Sequence, residues 1–278
     1  MAPTAIGSDS LAFVEMAKHV VTQADFRVAQ RQTFCYLCAK PFEAHETPNR
    51  DHVPPSALFS DNGREPALIL PTHVSCNERH SADDEVISQL VGVLRGRPIA
   101  PHGRKPEFVG GTFSDGSFGI GTLGLDLRRI IFRWVCGFHA ALYNQPMGPS
   151  SYMVFPPLPE GRVVGGRVDA VPVPAVIPKL VAELKRNRLT RTFDVVTCRN
   201  GRCHYECLWS QADDGRRICI WALDLHGWKK LGDLTHFEGR ACVGTYRPSD
   251  GIIPEAATLG TQLEFSIPTD ERLNPFGN

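Results

Sequence analysis

The chain has 278 residues, and its 30 basic side chains balance 30 acidic ones, so that the formal net charge is zero. A neutral chain is not a general binder of polyanions, and any contact with nucleic acid must therefore be local. No stretch approaches the roughly 18 consecutive apolar residues of a transmembrane helix, and the N-terminus lacks the pattern of a secretory signal. We therefore expect a cytoplasmic protein without membrane association, long enough for more than one domain.

The first predicted element is a helix over residues 11 to about 29. Ser8 or Ser10 can serve as its N-cap. Apolar residues recur near helical spacing at Leu11, Val14, Ala17, Val21 and Phe26. We expect this helix to pack beside the segment that follows it.

Two pairs of potential metal ligands come next, and two residues separate the partners in each pair. The pairs are Cys35 with Cys38 and His73 with Cys76. Thiolate and imidazole are the ligands that structural zinc prefers, and four of them close its tetrahedral shell. The alternatives are ordinary core residues or a disulfide, and a disulfide would need an oxidising compartment. The spacing predicts a structural Zn²⁺ site with these four ligands.

A carboxylate and an imidazole are adjacent between the two pairs, at Asp51 and His52. Neighbouring residues of an extended segment point to opposite faces, so that one can hold a metal while the other faces a water molecule. An imidazole with an ordinary pKa near ~6.5 can act as a general base at neutral pH. The plainer interpretation is a polar turn stiffened by Pro54 and Pro55.

Asn77 directly follows the last predicted zinc ligand, at the start of a predicted helix. If this helix end approaches Asp51, a carboxylate and an amide oxygen together suit Mg²⁺ or Mn²⁺. His80 could add a metal or phosphate contact, or it could be a solvated helix residue. Because His73 lies one helical turn before Asn77, His73 could instead face this second ion.

In this order, the two ligand pairs, Asp51-His52 and Asn77 resemble zinc-containing members of the HNH, or ββα-metal, endonuclease family. The resemblance covers roughly residues 33 to 95, and residues 51–59 look like a bacterial subgroup. It implies a ββα-metal module in which His52 activates water while Asp51 and Asn77 hold one catalytic Mg²⁺ or Mn²⁺. The expected activity is hydrolysis of phosphodiester bonds in nucleic acid, with DNA favoured.

Two other functions deserve comparison with an endonuclease. One is a catalytically silent zinc module that binds DNA or protein. A purely structural zinc module does not require an imidazole beside a metal-binding carboxylate. Asp51 and His52 therefore argue against a catalytically silent module. The other is a zinc hydrolase acting on small molecules, which needs an open coordination position that four protein ligands do not leave.

Basic residues follow the predicted helix that starts near Asn77. This helix is predicted to end at Gly96 and Pro98. Local contacts to nucleic acid are predicted at Arg95, Arg97, Arg104 and Lys105. A second basic stretch over residues 179–202 could track a phosphate backbone. Both stretches could equally be solvated surface.

The rest of the chain contains five further predicted elements, which are helices over 126–143 and 176–187 and strands over 193–198, 203–209 and 218–225. Asn200-Gly201 is a strong hairpin signal between the first two strands. Alternation along this hairpin predicts that its cysteines belong to a core. A second metal site is the alternative for Cys198, Cys203, Cys207 and Cys219.

The predicted fold class is α+β, with an N-terminal zinc-containing ββα-metal (HNH) module. The predicted units are an N-terminal helix (1–32), the nuclease module (33–96), a Gly/Pro-rich connection (97–125) and a C-terminal domain (126–278) ending in antiparallel β-structure. The role of the C-terminal domain is not predicted, although it could form a homodimer contact.

Overall fold

The computed structural model describes residues 17–59, 65–98, 106–113, 118–122, 125, 127–147, 152–154, 162–164, 167–169, 193–211, 217–225 and 242–246. These residues form a mixed α+β fold, as predicted. The helices are α1 (Gln23–Ala29), α2 (Val74–Leu94) and α3 (Leu127–Tyr143). The strands are β1 (His19–Val20), β2 (Asn49–His52), β3 (Ile69–Thr72), β4 (Phe108–Phe113), β5 (Phe118–Thr122), β6 (Tyr152–Val154), β7 (Arg162–Val164), β8 (Arg167–Asp169), β9 (Asp194–Cys198), β10 (Cys203–Gln211), β11 (Arg217–Leu225) and β12 (Cys242–Tyr246).

The described strands make three sheets. One has six strands in the order β1-β9-β10-β11-β12-β6, one has four in the order β5-β4-β8-β7, and β2 pairs with β3 alone. Both larger sheets join distant parts of the chain, since β1 is parallel to β9 and β4 is parallel to β8. The predicted connection over 97–125 therefore contributes β4 and β5 to a sheet that also contains later strands. The predicted domain boundaries stay a prediction.

The antiparallel strands β2 and β3 are followed directly by α2, giving the element order β-β-α. Asp51 stands opposite Leu70, and His52 stands opposite Ile69. His73 is the N-cap of α2, so that no loop separates the helix from β3. The helix ends where the sequence predicts, because Gly96 adopts a φ of 74° that favours glycine.

The predicted helix over residues 11 to about 29 is wrong for residues 17–22, and residues 11–16 lie outside the described part. His19 and Val20 form β1, and α1 starts only after Thr22. The Thr22 hydroxyl accepts from the Asp25 amide (3.2 Å), while the Asp25 carboxylate accepts from the Thr22 amide (2.8 Å). This capping box defines the helix start, and parallel pairing with β9 keeps the preceding residues extended.

Helix α3 lies at the centre of the core, in agreement with its strongly apolar sequence. Phe138 stacks on Tyr205 of β10, with ring centroids 4.6 Å apart. On another side, α3 approaches the end of β2 so closely that a Cβ added at Gly137 would lie 2.8 Å from the Cγ1 of Val53. Buried residues of the β2–β3–α2 unit and of the six-stranded sheet consequently belong to one hydrophobic core.

The predicted hairpin is confirmed as β9 and β10, and the predicted third strand is confirmed as β11. Cys198 stands opposite Cys203 across the turn, as the alternation predicts. The predicted helix over 176–187 lies outside the described residues. In the parts of the chain that the structure describes, no helix has both the length and the apolarity that a membrane span requires.

Candidate metal centre

The four predicted zinc ligands come together at the junction of β3 and α2. One nitrogen or sulfur atom from each of Cys35, Cys38, His73 and Cys76 lies within 4.8 Å of the others. Tetrahedral zinc with metal–sulfur bonds of about 2.3 Å requires ligand atoms about 3.5 to 3.8 Å apart, so this cluster needs only small movements. Three thiols and one imidazole are the donor set of a structural zinc site. The residues present therefore fit Zn²⁺.

The first ligand pair lies in a tight turn whose backbone is satisfied internally. The Cys35 amide donates to the Lys40 carbonyl (2.9 Å), and the Ala39 amide donates to the Cys35 carbonyl (2.8 Å). Ala39 adopts a φ of 61°, the left-handed conformation that lets the chain reverse directly after Cys38. This geometry turns both thiols toward the same point.

The second ligand pair lies at the N-terminus of α2. The His73 amide donates to the Cys35 Sγ (3.4 Å), which ties the two pairs together. The Nδ1 of His73 lies 3.2 Å from the Cys38 Sγ, and its Nε2 lies 3.3 Å from the Glu46 Oε2. A carboxylate on the far nitrogen is the usual support of a zinc-binding histidine, because it orients the ring. His73 thus lies with the three thiols, and the alternative that it faces a second ion has no support here.

The thiols differ in acidity. A hydrogen bond with Cys35 lowers the pKa of Cys38 to about 5. The same hydrogen bond, together with burial, raises the pKa of Cys35, and burial raises the pKa of Cys76. One thiol of the cluster therefore ionises readily, while the others keep their protons until a cation replaces them. Zinc binding at this cluster should release protons.

Asp51 is buried on β2, with 7% of its surface exposed. The Tyr36 hydroxyl donates a hydrogen bond of 2.6 Å to its Oδ2. Burial raises the pKa of Asp51, whereas the Tyr36 hydrogen bond and the positive charge of Arg133 act in the opposite direction. The Asp51 carboxylate also accepts a hydrogen bond from the backbone of His52.

His52 is only partly buried, unlike its neighbour Asp51, as expected for adjacent residues of a strand. Burial lowers the pKa of His52, and the charge of Arg199 lowers it further. The imidazole is therefore neutral at neutral pH, which is the protonation state of a group that accepts a proton.

A partly buried ion pair connects α2 to α3 next to Asp51. The guanidinium of Arg133, which is 3% exposed, pairs with the Asp84 carboxylate. His80 is also buried, and burial together with the charges of Arg133 and Arg129 lowers its pKa to about 4. Of the two alternatives for His80, the solvated helix residue is therefore excluded by its burial. His80 is a neutral buried imidazole in the field of Arg133.

Asn77 lies in the first turn of α2, where its backbone N–H donates to the His73 carbonyl (3.1 Å). Its side chain is partly buried, and α2 packs against β2, which carries Asp51. A shared magnesium or manganese ion between Asp51 and Asn77 stays a prediction.

The predicted nucleic-acid contacts fall in different places. Arg95 is exposed at the C-terminus of α2. Arg97 folds back so that its Nη2 lies 3.4 Å from the Leu58 carbonyl. Arg104 and Lys105 lie outside the described residues.

The cysteines of the hairpin belong to the core. The thiols of Cys198 and Cys203 share a hydrogen bond, as do those of Cys207 and Cys219. All four are buried. Within the described ranges, Cys35, Cys38, His73 and Cys76 form the one convergent group of three or more potential ligands. The core interpretation is thus favoured over a second metal site.

Three residues near the metal centre were not identified from the sequence: Tyr36, Glu46 and Arg133. Tyr36 and Glu46 look like an ordinary core aromatic and an ordinary surface acid. Arg133 offers a usable signal, because a charge in the middle of an apolar helix needs a partner.

Comparison with protein-family models, with curated proteins and with solved structures found no match.

Proposed function

We propose that the chain is a metal-dependent endonuclease of the HNH type that hydrolyses phosphodiester bonds. The observation that carries the proposal is the position of the Cys3His cluster. It joins the turn that carries Cys35 and Cys38 to the start of α2, directly after the strand pair that contains Asp51 and His52. The β2-β3-α2 order supports the same assignment. A module built only to bind zinc would not need this pair of side chains beside it.

Two kinds of metal ion belong to the proposal. Zn²⁺ is held by the four-ligand cluster and has a structural role, because these ligands close its coordination shell. Mg²⁺ or Mn²⁺ would be held by Asp51 and Asn77, with His80 as a further candidate ligand. When bound, this ion would stabilise negative charge that develops on the phosphate and on the leaving oxygen.

The side chains of the chain itself have separate roles in this mechanism. His52 is neutral and partly exposed, and it takes a proton from the attacking water. Tyr36 orients Asp51 by holding one of its carboxylate oxygens at 2.6 Å. Attack of the water oxygen forms a new bond to phosphorus and breaks the bond between phosphorus and the 3′ oxygen. The leaving oxygen takes a proton from water, which gives a 3′-hydroxyl and a 5′-phosphate.

DNA is the favoured substrate, and a homodimer through the C-terminal region is a further expectation. The second candidate function is a catalytically silent zinc module. The burial of Asp51 and its hydrogen bond to Tyr36 are the observations that favour this alternative, because a structural aspartate has the same surroundings.

A cleavage assay separates the two functions. Purified zinc-loaded protein is incubated with end-labelled single-stranded, duplex and branched DNA and RNA, with Mg²⁺, with Mn²⁺ or with EDTA. The endonuclease should cleave at least one substrate only with the added divalent ion, and Asp51→Asn should not. Binding without cleavage of any substrate by fully zinc-loaded protein would favour the silent module.

A further inference from the structure

The turn between β9 and β10 lies against the segment that leads into β3. The Arg199 amide donates to the Pro66 carbonyl (2.8 Å), and the Nη1 of Arg202 donates to the Phe59 carbonyl (3.0 Å). The guanidinium of Arg202 also pairs with the Glu65 carboxylate. A loop from the C-terminal half of the chain is thus docked onto the β2–β3–α2 unit.

This docked turn holds an unfavourable backbone conformation. Arg199 and Asn200 both have positive φ values, of 55° and 53°. Asparagine tolerates the left-handed region, but arginine rarely adopts it. Backbone strain of this kind is often found at functional sites.

The guanidinium of Arg199 is buried without a complete set of partners. Arg199 is 6% exposed, and its guanidinium carbon lies 5.4 Å from the centre of the Phe59 ring. Its Nη2 is buried and has no hydrogen-bond partner, whereas the Nη2 of Arg202 contacts Glu65. A buried donor on a cation is costly unless an acceptor, preferably an anion, completes it.

Arg199 is held beside the segment that leads into β3, the strand paired with the one that carries His52. The Pro66 carbonyl that holds Arg199 is two residues before Leu68, whose carbonyl accepts from the Val53 amide (3.0 Å). His52 itself stands opposite Ile69. The positive charge of Arg199 also lowers the pKa of His52.

We propose that Arg199 binds a non-bridging oxygen of a nucleic-acid phosphodiester beside His52. This inference rests on the proposed endonuclease function and adds an anion-binding residue that the HNH-like segment itself does not contain. The planar guanidinium suits this role, because two of its N–H groups can contact one phosphate. The loop over residues 199–202 would then complete the substrate site from the other half of the chain.

Binding in the absence of a catalytic metal tests the inference apart from cleavage. A fluorescein-labelled oligonucleotide is titrated with full-length protein in EDTA at a concentration that leaves zinc bound, and anisotropy is measured. Arg199→Ala and Arg199→Lys are compared with Arg27→Ala, which removes the same charge from an exposed position on α1. Melting temperature and zinc content establish that each variant is folded.

Arg199→Ala should weaken binding about 10-fold or more and reduce the salt dependence by about one counterion. Arg199→Lys should recover part of this loss, and Arg27→Ala should bind like the parent. If Arg199→Ala does not fold, Arg199→Lys decides by the same comparison. Equal binding by Arg199 variants and parent, equal weakening in Arg27→Ala, or no binding by the parent would overturn the inference.

The outcomes also separate this inference from the endonuclease proposal. Arg199-dependent binding without cleavage in Mg²⁺ or Mn²⁺ would keep the anion site and reject the endonuclease. Cleavage that persists while binding is independent of Arg199 would do the reverse.

Discussion

The Nε2 of His73 lies 3.3 Å from the Oε2 of Glu46, on the side of the imidazole opposite the cysteine cluster. A carboxylate in this position accepts a hydrogen bond from the Nε2–H group, and Nδ1 is then free to bind a metal. The cluster is thus supported from outside its four ligands. Glu46 belongs to the irregular segment between the first ligand pair and β2.

Replacing Glu46 by alanine should weaken zinc binding about 10- to 100-fold, because the His73 ring loses its orienting partner. Competition with a chromogenic chelator measures this change. Glu43→Ala is the matched control, since Glu43 pairs with the exposed His45. Equal zinc affinities for the two variants would show that Glu46 does not support the site.

Purified protein should contain about one zinc per chain, which a four-ligand site predicts. Cys76→Ser should lower both the zinc content and the melting temperature, because zinc binding contributes to folding. Cys136→Ala, at a buried cysteine of α3 outside the cluster, should keep its zinc. Zinc-free protein from a preparation without chelator would contradict the assignment.

His52→Ala should reduce metal-dependent cleavage by about 100- to 10,000-fold, as expected for the loss of a general base. Its melting temperature should stay close to that of the parent, since the side chain is partly exposed. His45→Ala, at an exposed histidine, should cleave normally. Cleavage by His52→Ala at the parental rate would assign the base elsewhere.

Acid should destabilise the fold through His139. Burial lowers the pKa of His139 to about 3, below the ordinary histidine value of 6.5. Between these values the unfolded chain binds the proton and the folded chain does not, so stability falls as the pH drops below 6.5. Above 6.5 both states are neutral and the contribution is constant.

The histidine contribution can be isolated with His139→Phe, which places an apolar ring beside Trp209. Denaturant unfolding at several pH values should show that the parent loses about 2 kcal/mol more than the variant between pH 7.5 and 5. The zinc site titrates in both proteins and cancels in the difference. Parallel pH profiles would mean that His139 does not titrate as proposed.

Gly137→Ala should destabilise the protein by about 1–3 kcal/mol, because the added Cβ would meet Val53 and Tyr36. Gly92→Ala is the contrasting substitution in α2, where the nearest atom lies at an ordinary 3.4 Å. It should gain up to about 1 kcal/mol from helix propensity. Similar effects at both positions in denaturant unfolding would argue against the close approach of α3.

Local sequence patterns predicted the elements that depend on local physics. The end of α2 at Gly96 and the apolar α3 follow from glycine and periodicity. The N-cap of α2 is His73, whose side chain makes no capping hydrogen bond, so capping did not predict where this helix begins. The hairpin around Asn200 follows from turn chemistry. The helix predicted before Thr22 failed, because parallel pairing between β1 and β9 is a long-range interaction that periodicity does not encode.

The sequence by itself determined the four residues of the candidate zinc cluster. Ligand type and two-residue spacing are local properties that can be read from the sequence without knowing the fold. It also determined the strand that separates Asp51 from His52 onto opposite faces. Only the tertiary structure decided what surrounds them. Tyr36, Arg133 and Arg199 reach the site from a turn, a helix and a distant hairpin. Their positions depend on how the shared hydrophobic core packs. The spacing of these residues along the chain does not predict how close they come to Asp51 and His52.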